Sequence, residues 1–343
     1  MLFHAFKSLI IGLALGTSTV LAQTSSHALV SRRLTEYLMP VAVQTHEFAR
    51  VPNTNFMLMT QMSDSELIKI ELDVKTEEPI AYHSFRMGKN STTSMLHGVW
   101  PSTVYPGLVW LSLQGDSKLL LVDPGKTLSA APIIKKSINI PSPGNGPHCV
   151  FEIGNQVWAG LKVATEQTGK YYVFSADVHN STNYHMYTAL NSPVFIAKEP
   201  TTGLIYVTQD TDSSIMRINT TSGDTTQMHI PPSVGNTAVG MISATGPLSG
   251  VWFTLAGNST GGTGTFGHIG ASGKMEFFKL KKPQLGTNAG LLHIADASTS
   301  AGPALWLLST SLLSTNSEDA LIRVTFNDDI TSVDEEEYIA MLT

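Results

Sequence analysis

Thr60-Gln61-Met62-Ser63-Asp64-Ser65-Glu66-Leu67-Ile68-Lys69-Ile70 returns almost in step as Thr208-Gln209-Asp210-Thr211-Asp212-Ser213-Ser214-Ile215-Met216-Arg217-Ile218. A shorter copy stands at Gln114-Gly115-Asp116-Ser117-Lys118-Leu119-Leu120-Leu121-Val122. Each copy joins two apolar runs through an Asp-Ser turn, whose Asp is expected to bond its own backbone. Self-similarity within one chain is the mark of a repeat architecture. A second marker precedes the turn. Val109-Trp110, Val157-Trp158, Val251-Trp252 and Leu305-Trp306 put four of the five tryptophans at one structural position. Tryptophans so placed are read as packing between repeats, because large aromatics dominate core energetics.

Working outward, helical periodicity is nearly absent, and short runs rich in Val, Ile, Tyr, Phe and Thr alternate with Gly, Pro, Asn and Ser clusters. The chain is therefore read as all-β. Units beginning near Thr45, Ser94, Gly146, Ser192, Asn236 and Gly290 predict a six-bladed β-propeller of four-stranded blades, at roughly 50 residues per blade. Residues 30–42 and 335–342 are both strand-capable, and one of them is expected to complete the last blade.

Of the 343 residues only 14% are charged, against roughly 25% in an average soluble domain, while 42% are hydrophobic. That composition excludes a disordered chain. The formal charge of -6 and the lack of a long basic run exclude nucleic acid as a partner. At the N-terminus, Lys7, an apolar run from Leu9 to Leu15, and Val20-Leu21-Ala22 read as a secretory signal over residues 1–22. Residues 23–343 then form a single propeller domain. The apolar run is shorter than the ~20 residues a membrane span needs, and no later one reaches that length. Sequons at Asn90, Asn180, Asn219 and Asn258 agree with secretion and predict N-linked glycans. The lone Cys149 leaves no internal disulfide, so the core must be large.

In a propeller the first strand of each blade lines the central channel, and its start shares one mouth with the end of the second strand. Aligning first strands places His46, His97 and His148 at equivalent positions of three consecutive blades, equally spaced along the chain. Blades four to six offer Val194, Val239 and Leu291 or Leu292. The second strands end on Gln61, Gln114, Lys162 and Gln209. A mouth polar on one side and apolar on the other suits an amphiphilic small molecule. Two readings compete with that: the histidines could merely bridge neighbouring blades, or hold a metal with an open fourth position. Against a metal, a ring around a channel is expected to keep the imidazoles too far apart for ~2 Å bonds, and strand alternation should turn Glu47 away. No metal or cofactor is assigned. His293, His83, His185 and His229 are read as structural or surface residues. Neither a Gly-x-Ser-x-Gly elbow nor a His-Glu-x-x-His motif is present, which excludes ordinary triad hydrolases and zincins. The Gly-, Ser- and Thr-rich segments 163–170, 257–264 and 309–319 are expected to overhang the mouth as lids.

Gly146-Pro147-His148-Cys149-Val150 followed by Asn155-Gln156-Val157-Trp158-Ala159 resembles the Gly-Pro-His-Gly and Val-Trp-Phe repeat of streptogramin B lyase, and Gly250-Val251-Trp252-Phe253-Thr254 is similar. The resemblance implies elimination across an ester with magnesium, using a His and a Glu at the mouth. His148 matches the histidine. The expected Phe-Thr-Glu is replaced by Ala159-Gly160-Leu161-Lys162 in one blade and by Phe253-Thr254-Leu255-Ala256 in another, which counts against magnesium and against the lyase reaction. As a secreted, glycosylated propeller with degenerate blades, the chain also resembles the fungal hetero-Diels-Alderases of tropolone sesquiterpenoid biosynthesis. That resemblance implies dehydration of a hydroxymethyl tropolone to a quinone methide, then cycloaddition onto a humulene-type sesquiterpene, with no cofactor. Under it, His97, His148 and Lys162 would move the proton and meet the oxyanion. Gln61, Gln114 and Gln209, with His46, would bind the tropolone, and Trp100, Val194, Val239, Leu291 and Leu292 the terpene. A metal-dependent lyase or lactonase and a noncatalytic binding propeller remain the alternatives.

Overall fold

A computed structural model of the chain describes residues 30–38, 44–166, 168–211, 213–259, 261–280, 290–300, 302–310, 320–327 and 335–340. The proposed signal, Asp212 and residues 311–319 of the third loop lie outside them. Six antiparallel sheets follow one another along the chain as the blades of a six-bladed β-propeller. Blade one comprises Thr45–Arg50, Phe56–Gln61, Glu66–Leu72 and Pro79–Arg86, each strand paired to the next. The inner strands of blades two to six are Leu96–Pro101, Phe151–Ile153, Pro193–Lys198, Ala238–Ala244 and Leu291–Asp296. The sixth blade takes in both chain ends. Val30–Leu38 pairs antiparallel with Ala320–Asn327 as its fourth strand, and Glu335–Ala340 adds parallel to Val30–Leu38 as a fifth. Where one closing segment was expected, two are used.

Burial explains why the strands do not alternate polar and apolar. The second strand Phe56–Gln61 is buried at every position, while the outer strand Pro79–Arg86 has no buried residue. An inner strand has a neighbouring blade on each face, so it reads as a continuous apolar run, as sheets covered on both sides do. The cores are accordingly the seams between blades. Trp110, Trp158, Trp252 and Trp306 each sit in a different seam cluster and are at most 5% exposed. The repeated turn also has a common backbone: Ser65, Ser117 and Ser213 all take a left-handed φ between 50° and 59°. At Asp64 the carboxylate accepts the Glu66 N–H, as a turn Asp should.

Candidate functional site

The first strand of each blade is bulged where it passes the channel. In blade one Thr45 pairs with Gln61 and Phe48 with Met59, so His46 and Glu47 together oppose Thr60. The same register shift recurs at His97-Gly98, Val194-Phe195 and Val239-Gly240, and again at Leu292. A hydroxyl fills the bulge and straps it to the next blade. Thr60 Oγ1 accepts the Glu47 N–H and donates to the carbonyl of His97; Ser112 accepts the Gly98 N–H and donates to the carbonyl of His148. Thr208 repeats this between Phe195 and Val239 at 3.1 and 2.7 Å, and Thr254 reaches Leu292 O at 3.0 Å. Blade three has glycine at this place. A Cβ on Gly160 would stand 2.7 Å from Pro193 O, and the Cys149 N–H reaches Val194 O directly at 3.2 Å. Ser/Thr at the next-to-last place of the second strand was the sequence signal for the bulge.

A bulge breaks alternation, and this corrects the expectation for Glu47. Its carboxyl does not turn away: Oε1 lies 3.9 Å from His46 Nδ1, and Oε2 accepts the Val99 N–H at 3.2 Å. The register therefore sets two rings of residues around the channel. One is His46, His97, His148, Val194, Val239 and Leu292; the next is Glu47, Gly98, Cys149, Phe195, Gly240 and His293. Phe195 and His293 were missed as channel residues for the same reason as Glu47. The Phe195 ring lies 5.3 Å from His148 and 5.4 Å from His293, and it stacks on His46 at 6.0 Å.

The three histidines converge. Their ring centroids are 4.2, 4.5 and 4.7 Å apart, and one nitrogen from each falls within 4.8 Å of the others. The expected wide separation is thus overturned, because the straps draw neighbouring first strands together at the axis. All three are at most 2% exposed. Burial, opposed by the hydrogen bond to Met95, brings His97 down to about 4; burial and the charges of neighbouring His97 and Lys162 hold His46 well below its ordinary value. His148 is lowered by burial and by Lys162. Burial thus disfavours the charged imidazole, which speaks against the acid role expected of His97 and His148. Burial pushes the Glu47 carboxyl well above the usual range, despite the Val99 hydrogen bond. Among the described residues, His46 Nδ1, His148 Nδ1 and Glu47 Oε1 are buried with no hydrogen-bond partner.

The other expected site residues divide. Lys162 is at the mouth, 35% exposed, with Nζ 2.6 Å from Asp210 Oδ2 across to blade four. Gln114 is half-buried there, its Oε1 without a partner. Gln61 and Gln209 are engaged within their own blades instead. Gln61 donates to Asp64 at 2.7 Å; Gln209 accepts from the Asn191 N–H and donates to Ser214 and Gln227. Val194, Val239, Leu291 and Leu292 are at most 4% exposed, the first, second and fourth in one seam core and Leu291 in another. Trp100 is not at this mouth. It stands at the far end of its strand against Phe151, and with Phe48, Ile242, Ile294 and the channel residue His293 it lines a cavity of about 320 Å³. His83, His185 and His229 are exposed.

No protein-family model and no curated protein matches the chain in sequence. Solved structures match in shape. A streptogramin B lyase aligns over 86% of this chain and 97% of its own at a TM-score of 0.55 and 14% identity. A luciferin-regenerating enzyme covers 88% and 96% at 0.61 and 12%. A gluconolactonase from Xanthomonas campestris covers 83% and 87% at 0.58 and 10%. At such identities the likeness is one of fold. Magnesium, which the lyase resemblance implies, does not suit the donors present: Mg²⁺ prefers carboxylate, phosphate and water oxygens, and this cluster offers three imidazoles.

Proposed function

We propose that the protein is a secreted enzyme of secondary metabolism that works on an amphiphilic small molecule in its channel. Its reaction is dehydration of a hydroxymethyl tropolone and stereoselective hetero-Diels–Alder addition of the resulting quinone methide to a humulene-type alkene. The observation that supports this most is the divided wall, with His46, His97, His148 and Glu47 on one arc and Val194, Phe195, Val239 and Leu292 on the other. The oxygen-rich edge of a tropolone fits the first arc and a hydrocarbon partner the second.

In the dehydration the C–O bond of the hydroxymethyl group breaks, its oxygen takes a proton and leaves as water, and the proton released by the ring hydroxyl restores the donor. Lys162, held by Asp210 at 2.6 Å, is the cation placed to donate that first proton, and the neutral imidazoles face the ring oxygens. Cycloaddition then forms one C–C and one C–O bond. Holding both partners in one geometry removes most of its entropic barrier and sets the face of attack. A second reading, a lyase or lactonase acting through a metal ion, is favoured by the convergence of the three imidazole nitrogens.

The test is product analysis by chiral chromatography and mass spectrometry, with the purified protein, a hydroxymethyl tropolone and humulenol, against a protein-free control. One stereodefined dihydropyran formed above background supports the cycloaddition. No acceleration, with turnover of a lactone or depsipeptide instead, moves the protein to the second reading. Secretion has its own check: Asn90, Asn180 and Asn258 are exposed, and enzymatic deglycosylation of the native protein should raise its gel mobility.

A further inference from the structure

The channel cluster holds a set of polar atoms that nothing in the protein satisfies. His46 Nδ1, His148 Nδ1 and Glu47 Oε1 are all buried without a partner. Leaving a buried donor or acceptor unpaired is costly. Together the three atoms mark the site as incomplete: His46 Nδ1 and Glu47 Oε1 stand 3.9 Å from each other, and His148 Nδ1 is without a hydrogen-bond partner. A ligand nitrogen from each of His46, His97 and His148 already lies within 4.8 Å of the other two. Bonds of ~2.0–2.1 Å to a tetrahedral ion put nitrogens about 3.3 Å apart, so the nitrogens have at most about 1.5 Å to close.

The surroundings are also those of a ligand set. His97 Nδ1 is 2.9 Å from Met95 O, which fixes the proton on that nitrogen and leaves Nε2 with its lone pair. His46 Nδ1 faces the Glu47 carboxyl at 3.9 Å, the beginning of the carboxylate–histidine–metal arrangement that orients metal-binding imidazoles. The three residues come from equivalent positions of consecutive blades, strapped together by Thr60 and Ser112, so the set is rigid before any ion arrives.

We infer that His46, His97 and His148 form a binding site for one divalent ion of the zinc class, Zn²⁺ or its Co²⁺ and Ni²⁺ congeners, with at least one coordination position open to the channel. Three neutral imidazoles select these borderline ions over Mg²⁺ and Ca²⁺, which take oxygen ligands. The inference goes beyond the proposed reaction and stands whichever reaction the channel runs. With the ion in place, the imidazoles address the oxygen-rich edge of a substrate through a Lewis acid rather than directly.

Cobalt is the probe. Full-length protein is dialysed against a chelator, then titrated with Co²⁺ while visible absorption and circular dichroism are followed. The expected result is one Co²⁺ per chain, with intense d–d bands of a low-coordinate site that Zn²⁺ abolishes and excess Mg²⁺ or Ca²⁺ leaves unchanged. His97→Ala and His148→Ala should weaken binding at least tenfold, and the exposed-histidine control His83→Ala should not. Absence of saturable bands in folded wild-type protein overturns the inference, as does equal competition by Mg²⁺ or unchanged affinity in both channel variants. If an alanine variant does not fold, His97→Gln keeps hydrogen-bonding capacity in its place, and the wild-type titration stands by itself. Because the readout is spectroscopic, failure of the ion site is distinguishable from failure of the cycloaddition.

Discussion

Two buried polar centres lie in neighbouring parts of the ring and are built on opposite terms. At the seam of blades two and three, the Glu152 carboxylate accepts from Ser102 Oγ, from the Thr103 and Val104 N–H groups, from Thr103 Oγ1 and from Trp110 Nε1. Burial alone would raise its pKa, but those hydrogen bonds outweigh it and hold the group below its ordinary value. In the channel, by contrast, His46 Nδ1, His148 Nδ1 and Glu47 Oε1 are buried without a hydrogen-bond partner. Complete satisfaction at Glu152 makes it a rivet of the scaffold. Incompleteness at the histidines agrees with the ion site inferred above, since an unpaired buried polar group costs stability.

The largest effect should come from breaking the channel side. His148→Leu removes an incompletely satisfied polar group in exchange for apolar volume, so thermal stability should hold or rise, whereas His97→Leu also gives up the hydrogen bond to Met95 O and should lose a little stability. Turnover should fall by about 10²-fold, the scale of a lost positioning contact to the substrate. Product formation per folded molecule, read beside the melting temperature, checks both halves. A fall in melting temperature with unchanged specific activity would make the histidines structural and erase the contrast with Glu152.

Glu152→Ala is the mirror experiment. It strands the indole N–H of Trp110, two backbone N–H groups and two hydroxyls in a largely closed seam, and should cost about 2–4 kcal/mol of stability. Urea denaturation measures it. The folded fraction should keep its activity, because Glu152 stands four residues beyond His148 along the inner segment of blade three, roughly 13 Å at ~3.3 Å per residue.

How much of this contrast was legible beforehand depends on periodicity. The repeated Thr-Gln turn and the Val-Trp strand make the propeller readable, because each blade repeats the same burial. The three histidines were readable as a set because they recur in register. Glu47, Phe195 and His293 were not, since reading them requires the bulge, and alternation assigns them to the wrong side. The hydroxyls Thr60, Ser112, Thr208 and Thr254, standing one residue before each strand end, carried the clue. Trp100 was misplaced by strand length: three residues beyond His97, at ~3.3 Å each, take it about 10 Å toward the other mouth. Gln61 and Gln209 looked free in sequence because their partners, Asp64, Ser214 and Gln227, lie across turns and neighbouring strands.

Lys162 tests the border between the two centres. It is part-exposed and paired, so Lys162→Met should move stability by no more than about 0.5 kcal/mol, the scale of a solvent-screened ion pair. Its charge nonetheless acts on all three imidazoles. A roughly tenfold loss of kcat with little change in KM is expected if it donates the proton in the dehydration step, and Lys162→Arg should restore part of it. A loss confined to KM would make Lys162 a binding group only.

The smallest effect, and the finest test of the Glu152 rivet, is its pH dependence. Its folded-state pKa lies below the unfolded value, so its contribution is complete above the unfolded pKa, about 4.3, and is lost as pH falls through the folded one. In the same window the wild-type chain should lose stability more steeply than Glu152→Gln, which carries no titrating proton at this position. The two curves should run parallel above about pH 6 and converge in acid. Convergence is specific to a carboxylate that is stabilised as an anion, because a group held merely by shape would give the same offset at every pH. Parallel curves throughout would mean that the hydrogen bonds to Glu152 do not favour its charged form, and the seam would then owe its strength to packing around Trp110 alone.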